Sequence, residues 1–393
     1  VFIGENVSDA AMDDAGDNVG IGHSALSALT TGDDNVVIGS GAGAAISTGL
    51  QNTAVGKNAL LDLNTGKENI AVGRNSGENL TTSSGSVFIG WEAGATSVTG
   101  NRNIGIGRFA MGGGATTGDN NIAIGANAGD ALTSGFSNVI IGKNAGGQIT
   151  TAKQNVIIGE GAYASANTSE NFGVAIGFNA ATLLDGIDNV VAIGHSALST
   201  MVAVDGNTAV GFEAGKVTTG ANNTYVGFKS GKGASGADTG NVGVGSNTLL
   251  SITSGENNVA VGHLALDALT DGDLNVAIGT SALSAYNGNA AVAIGREALR
   301  DLNHADALGT VGIGQGAGAA ITSGQANTVI GYQAANDLTT GDFNTVLGYQ
   351  ALDRATTAAL RNVAIGHQAM HGNLTTAAAV SYTHLTLPTI YSV

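Results

Sequence analysis

The sequence predicts an all-β chain, a parallel β-solenoid (β-roll) of about 22 turns with a repeat of about 17 residues. Three observations predict it. A short apolar tetrad ending in glycine recurs from Gly4 to Gly366, 22 times, at spacings of 16 to 19 residues. Glycine supplies 63 of the 393 residues while proline supplies 1, as expected where nearly every backbone N–H is wanted along a ladder. The residues one and three places before each glycine are Ile, Val, Leu or Thr, an alternation of period two that belongs to a strand.

Taking the glycine as the anchor gives each place in the turn a physical task. The residues one and three before it, such as Val36 and Ile38, share one strand face, which is assigned to the core of the turn. The residue between them ranges from Gly105 and Ala123 to Val37, Phe88 and Tyr225 and is never charged. A parallel strand apolar on both faces is covered on both. This middle column is therefore expected to look outward, its many Ala and Gly letting three copies approach around an axis.

Four before the anchor stands Asn in most turns (Asn18, Asn35, Asn52, Asn69, Asn103), which predicts an amide ladder, each side chain bonding the next turn. Three after the anchor lies a small residue (Ala25, Ala42, Ala59), then Leu or Gly (Leu26, Gly43, Leu60), and at seven an aliphatic residue (Leu29, Ile46, Leu63). This second segment fits either a short irregular strand or one helical turn, with the strand favoured. A Thr/Ser step ending in Gly, as at Thr30-Thr31-Gly32, closes the circuit. About five apolar side chains per turn are too few to offset the ordering of 17 residues, so turns must stack and share their faces. At ~4.8 Å per rung, 22 rungs would extend about 105 Å.

Composition excludes several functions. No cysteine means no disulfide, thiolate metal site or cysteine nucleophile. A formal charge of −16 with scattered Lys and Arg argues against nucleic acid as a partner. No apolar run approaches the ~18 residues of a membrane span, so no membrane insertion by this segment is expected. Four histidines (His23, His195, His263, His367) follow anchors directly, but their anchors lie turns apart, too far to share one ion. Asp271, Asp273 and Asn275 lack the glycine and distal glutamate of a calcium loop. Gly211 to Lys216 is one residue short of a phosphate loop, and the His23-Ser24 and His195-Ser196 pairs belong to the repeat. No cofactor, metal or catalytic site is expected.

The place directly after the anchor carries the candidate contact stripe. Lys57, Arg74, Trp91 and Arg108 fall on four consecutive turns, and Phe178, Phe212 and Phe228 occupy the same row farther on. An aromatic and basic row of this kind can hold a glycan or an acidic polymer.

Asn52-Thr53-Ala54-Val55-Gly56-Lys57-Asn58-Ala59-Leu60 and Asn362-Val363-Ala364-Ile365-Gly366-His367-Gln368-Ala369 resemble the head repeat of trimeric autotransporter adhesins. Copies such as Gly348-Tyr349-Gln350-Ala351-Leu352 are similar to repeats of phage and bacterial tail-fibre-like proteins. The resemblance implies a left-handed β-roll, a homotrimer and a place outside the cell, on its surface or on a virion appendage. It implies a non-enzymatic structural and adhesive segment whose partner is a host-surface glycan or extracellular matrix. The competing functions are an ice-binding solenoid and, behind it, a carbohydrate-cleaving β-helix. Threonine three before the anchor occurs only at Thr53, Thr208, Thr224, Thr328 and Thr345, in the row assigned to the core, which counts against ice binding.

Residues 1–376 are read as one repeat domain whose caps lie beyond it. Residues 377–393 leave the repeat. Their string Ser381-Tyr382-Thr383-His384-Leu385-Thr386-Leu387-Pro388 resembles translated sequencing-adapter read-through of metagenomic reading frames and is expected to be disordered or artefactual.

Overall fold

Where β-branched residues alternate before an anchor glycine, the chain forms a strand of two or three residues, and within each compact unit every such strand pairs in parallel with the strand one repeat away. In a computed structural model the described residues are 1–372, apart from 9, 11–12, 166–170, 184–187, 201–204, 234–235, 237, 305–306 and 356–358. The tail 377–393, with Pro388, lies outside them. Among the described residues there are 22 strands and no helix. The chain divides into two compact units, Val1–Gly206 and Asn207–Val393. The first holds β1 (Phe2–Ile3) to β12 (Val191–Ile193), the second β13 (Thr208–Val210) to β22 (Val363–Ile365). Register follows the repeat without slippage: in β4 (Thr53–Val55) and β5 (Ile70–Val72), Thr53 pairs with Ile70, Ala54 with Ala71 and Val55 with Val72. The fold is thus a parallel β-solenoid with a repeat of about 17 residues, as the sequence predicts.

The two strand faces are the reverse of the expected ones. The middle residue of each strand points into the core: Val37, Ala54, Phe88, Ala123 and Tyr225 are all fully buried. The residues one and three before the anchor stand on the outer face, half-exposed or more, with Val36 and Ile38 both 38 % exposed and Ile70 41 %. The small and variable middle column therefore does not serve as an approach face. It fills the narrow space between the strand and the second segment, whose Ala25, Leu26 and Leu29 are equally buried.

The second segment is neither strand nor helix. It is a succession of tight turns in which the residues two and four after the anchor take left-handed φ, such as Asn58 (56°) and Leu60 (52°). This explains the alternation of Leu and Gly at the fourth place. A leucine there carries the cost of a positive φ, roughly 1–3 kcal/mol, and offsets it by burying its side chain. Glycine stands where the core is already full. A Cβ on Gly43 would come within 2.8 Å of Ile46, and those on Gly94 and Gly231 would overlap the rings of Phe88 and Tyr225. At Val37, Phe88 and Tyr225 a large middle residue is matched by a glycine facing it, which keeps packing dense without overfilling.

The anchor glycines hold the stack together. Their φ lies between 123° and 144°, a region essentially closed to other residues, and within each unit a Cβ on any anchor followed by another would overlap that next anchor's carbonyl. Beside them runs the amide ladder. Asn52 Nδ2 donates to Asn35 Oδ1 (3.1 Å) and to the Gly66 carbonyl (2.9 Å), while Asn52 Oδ1 accepts from the backbone N–H and the amide of Asn69 (both 3.1 Å). These Asn side chains are buried, so every bond is made away from water. Where Ser86 replaces Asn, its N–H still donates to Asn69 Oδ1 (3.0 Å) and its hydroxyl accepts from Asn103 N–H (3.2 Å).

In the second unit the corner that glycine usually fills holds Asp238, buried and accepting from the Tyr225 hydroxyl at 2.6 Å. Burial pushes its carboxyl up to about 6 from the ordinary 3.8, against the Tyr225 O–H and the Gly220 and Thr219 amides, which favour the ionised form. The folded state therefore binds this proton more tightly than the unfolded chain. The corresponding stability is fully present below about pH 4 and is lost as pH rises through about 6, up to ~3 kcal/mol. Denaturant midpoints of the second unit, followed by hydrogen exchange from pH 4 to 7, are expected to fall by that amount relative to Asp238→Asn. Equal pH slopes in the two proteins would show that Asp238 titrates as it does in the unfolded chain.

Candidate functional site

The row after the anchor lies outside the strand, and its side chains project from the corner into solvent. In the first unit Lys57, Arg74, Trp91, Arg108 and Phe178 are all exposed there, and in the second unit so are Phe212 and Phe228. Because successive turns are in register, flat side chains in this row stack on one another. Phe178 lies on His195 with ring centroids 5.1 Å apart, and Phe212 on Phe228 at 5.3 Å and 13°. Tyr332, Tyr349 and His367 form a third such column, at 5.3 and 5.1 Å, which was not singled out in the sequence. Its signal was available: the three occupy the row on consecutive turns. Each stacked ring has a face covered by its neighbour, so the column offers mostly ring edges.

The basic members behave differently. Lys57 and Arg74 make no ion pair among the described residues. Burial, with repulsion from Asp62 and Glu92, raises the Glu78 carboxyl near Arg74, which acts weakly against that. Arg108 instead spreads over two rings, with its guanidinium carbon 5.6 Å from the centre of Trp91 and 5.0 Å from that of Phe109, a cation–π arrangement. The two rings are tilted by 39° at 5.3 Å, and Trp91 Nε1 donates to Glu92 Oε1 (2.9 Å). Here the regular stacking is broken.

Beside this cluster the surface is concave. A groove of about 780 Å³ runs across the second segment from Glu92 and Phe109 past Asn127 and Asp130 to Asn144 and Gln148. Its floor is low because Gly112, Gly113 and Gly147 bring no side chains. Asn127 Nδ2 donates to Asn144 Oδ1 at 3.0 Å, linking two levels of the wall. Burial pushes the Asp130 carboxyl above its usual range, with the Gly113 amide acting against it. Of the stripe residues named from sequence, Arg108 lines this groove, and Phe109, next in the chain, lines it as well.

Elsewhere the charged side chains form local pairs. Glu213 accepts from Lys216 (2.6 Å) and Lys232 (2.9 Å), which hold its carboxyl down to about 2. Among the described residues no three His, Cys, Asp or Glu side chains converge as metal ligands would, and no helix is long and apolar enough to cross a membrane.

Comparison with models of known protein families found none that matches the chain. Comparison with curated proteins found no similar sequence.

Proposed function

We propose that the chain is a non-enzymatic structural and adhesive segment of an extracellular appendage, of the kind formed by trimeric adhesin heads or tail-fibre shafts, in which three copies associate through their outer strand faces. The observation that carries this reading is the outer face itself. In both units it consists of two unbroken columns of Val, Ile, Leu and Thr without a single charged residue, and many of these side chains are over a third exposed. Parallel sheets are ordinarily covered on both faces. A rigid face repeating every ~4.8 Å is matched level by level by another face of the same period, which a second copy of the chain provides. The number three comes from the resemblance to trimeric repeats. Beyond the interface, the outward rows would set contacts with a surface glycan or matrix.

Sedimentation velocity of the whole chain tests the assembly. A trimer is expected for the parent protein, and a folded monomer for Ile70→Lys combined with Ile89→Lys, whose side chains leave the outer face and do not enter the core. A parent protein that sediments as a stable folded monomer overturns the reading.

The outward position of the threonines removes one argument against ice binding, since Thr328 and Thr345 are exposed and Thr53, Thr208 and Thr224 half-exposed. A threonine lattice nevertheless needs the residue on many successive turns, whereas Thr208 with Thr224 and Thr328 with Thr345 are isolated pairs and only one strand of the first unit has a threonine there. The predominance of Val and Ile supports a protein-covered face.

A further inference from the structure

We propose that the groove of the first unit between Phe109 and Gln148 is a binding site for an extended, uncharged oligosaccharide. The inference rests on the adhesive reading and names the partner at one place on the surface. Four features support it. First, the groove is built by turns at five successive levels from Glu92 to Ala164, four spacings or ~19 Å, which suits a short linear chain better than a compact metabolite. Second, its walls carry planar hydrogen-bonding groups suited to hydroxyls. Asn127 and Asn144 use one donor and one acceptor in bonding each other, and each amide has capacity for more. The carboxyl groups of Glu92 and Asp130 add hydrogen-bond acceptors.

Third, one end is closed by Phe109, with the 43 % exposed Trp91 beside it, a surface on which the C–H face of a sugar ring packs. Arg108 bridges the two rings and makes no salt bridge with a carboxylate of the groove, so no such pair takes up its N–H donors. Fourth, the balance of charge selects among glycans. One guanidinium faces two carboxylates, and the whole chain carries −16, so a sulfated or uronic polymer would be repelled where a neutral one is not.

Gly147 permits a test that leaves the fold alone. It lines the groove, its φ is not positive, and a Cβ there would meet nothing closer than 3.4 Å. Gly147→Trp therefore fills the groove, whereas Asp130→Asn and Trp91→Ala remove contacts without filling it. Titration calorimetry uses defined tetrasaccharides of glucose, galactose, mannose and N-acetylglucosamine, with a heparin tetrasaccharide as the acidic comparison. The parent protein is expected to bind at least one neutral tetrasaccharide, and each variant to bind it at least tenfold more weakly with an unchanged thermal midpoint. If Gly147→Trp fails to fold, the other two variants carry the test. The proposal is overturned if no neutral tetrasaccharide binds, if heparin alone binds, or if folded variants bind as well as the parent. Sedimentation of the same samples separates the two readings. A trimer that binds no sugar removes the groove and leaves the assembly, and a sugar-binding monomer does the reverse.

Discussion

Gly73→Ala is expected to unfold the turns around it. The methyl group would have to occupy the space of the Gly90 carbonyl, and the backbone would have to hold an alanine at a φ of 137°. Strain at such a φ costs roughly 1–3 kcal/mol, and forcing atoms into a packed site adds roughly 1–3 more. Neither term can relax locally, because the obstructing carbonyl belongs to the next rung and its neighbour is fixed by the rung beyond. A loss of about 4 kcal/mol is expected. In a stacked array, stability is close to a sum of rung and interface contributions, so the damage should be regional. Hydrogen exchange resolved by peptide should show lost protection over the adjoining turns of the first unit, with distant turns retained. Gly309→Ala is the control, since nothing lies within 4 Å of its Cβ position and only the φ penalty remains. Equal losses in the two variants would mean that inter-rung contact is not what the anchor glycine protects.

The second large effect is expected at the amide ladder. Asn52→Ala deletes two donated and two accepted hydrogen bonds at once and leaves the Asn69 N–H and the Gly66 carbonyl without these partners in the interior. A buried group so stranded costs about 1–3 kcal/mol, giving about 3 kcal/mol or more for the variant. Asn52→Ser should recover roughly half, because Ser86 shows how a hydroxyl at this place keeps the backbone part of the network. Urea unfolding followed by circular dichroism should rank the parent above the serine variant and the serine above the alanine variant. A serine variant no better than alanine would assign the ladder's contribution to side-chain shape and not to its hydrogen bonds.

Much of this architecture was legible from the residues. Anchor glycines, strand positions and the asparagine column follow from the repeat, since each is a residue type with one dominant physical use. The direction of the strand faces was not. A period of two separates a strand's residues into two sets, but where both sets are apolar it carries no sign. The clue lay in volume. In several turns a large middle residue stands with Gly at the place four after the anchor, as in Val37 and Gly43, Phe88 and Gly94, or Tyr225 and Gly231, and such compensation belongs to sites that share a confined space. The outer columns keep one size, as a surface repeated for contact does. The second segment misled for a different reason: Leu60 at a φ of 52° contradicts the residue's ordinary preference, and burial overrode it. The groove was only half visible. Arg108 and Trp91 stood out as charge and aromatic in an otherwise plain row, whereas Asn127 and Asp130 belong to columns that become a wall only once the turns are stacked.

The contact between one anchor glycine and the next is the same at almost every level, and this has a consequence for how such a gene changes. Unequal recombination that copies or drops the codons of one full circuit leaves both new neighbours with the junction they already had, so the segment can lengthen or shorten across generations without a fresh solution for folding. A frame-preserving insertion of a single codon within a strand has no such freedom, for it would turn the outer columns inward and the core outward from that point to the next anchor. Reach is therefore the trait that drifts, and the identity of the rung is the one selection must hold.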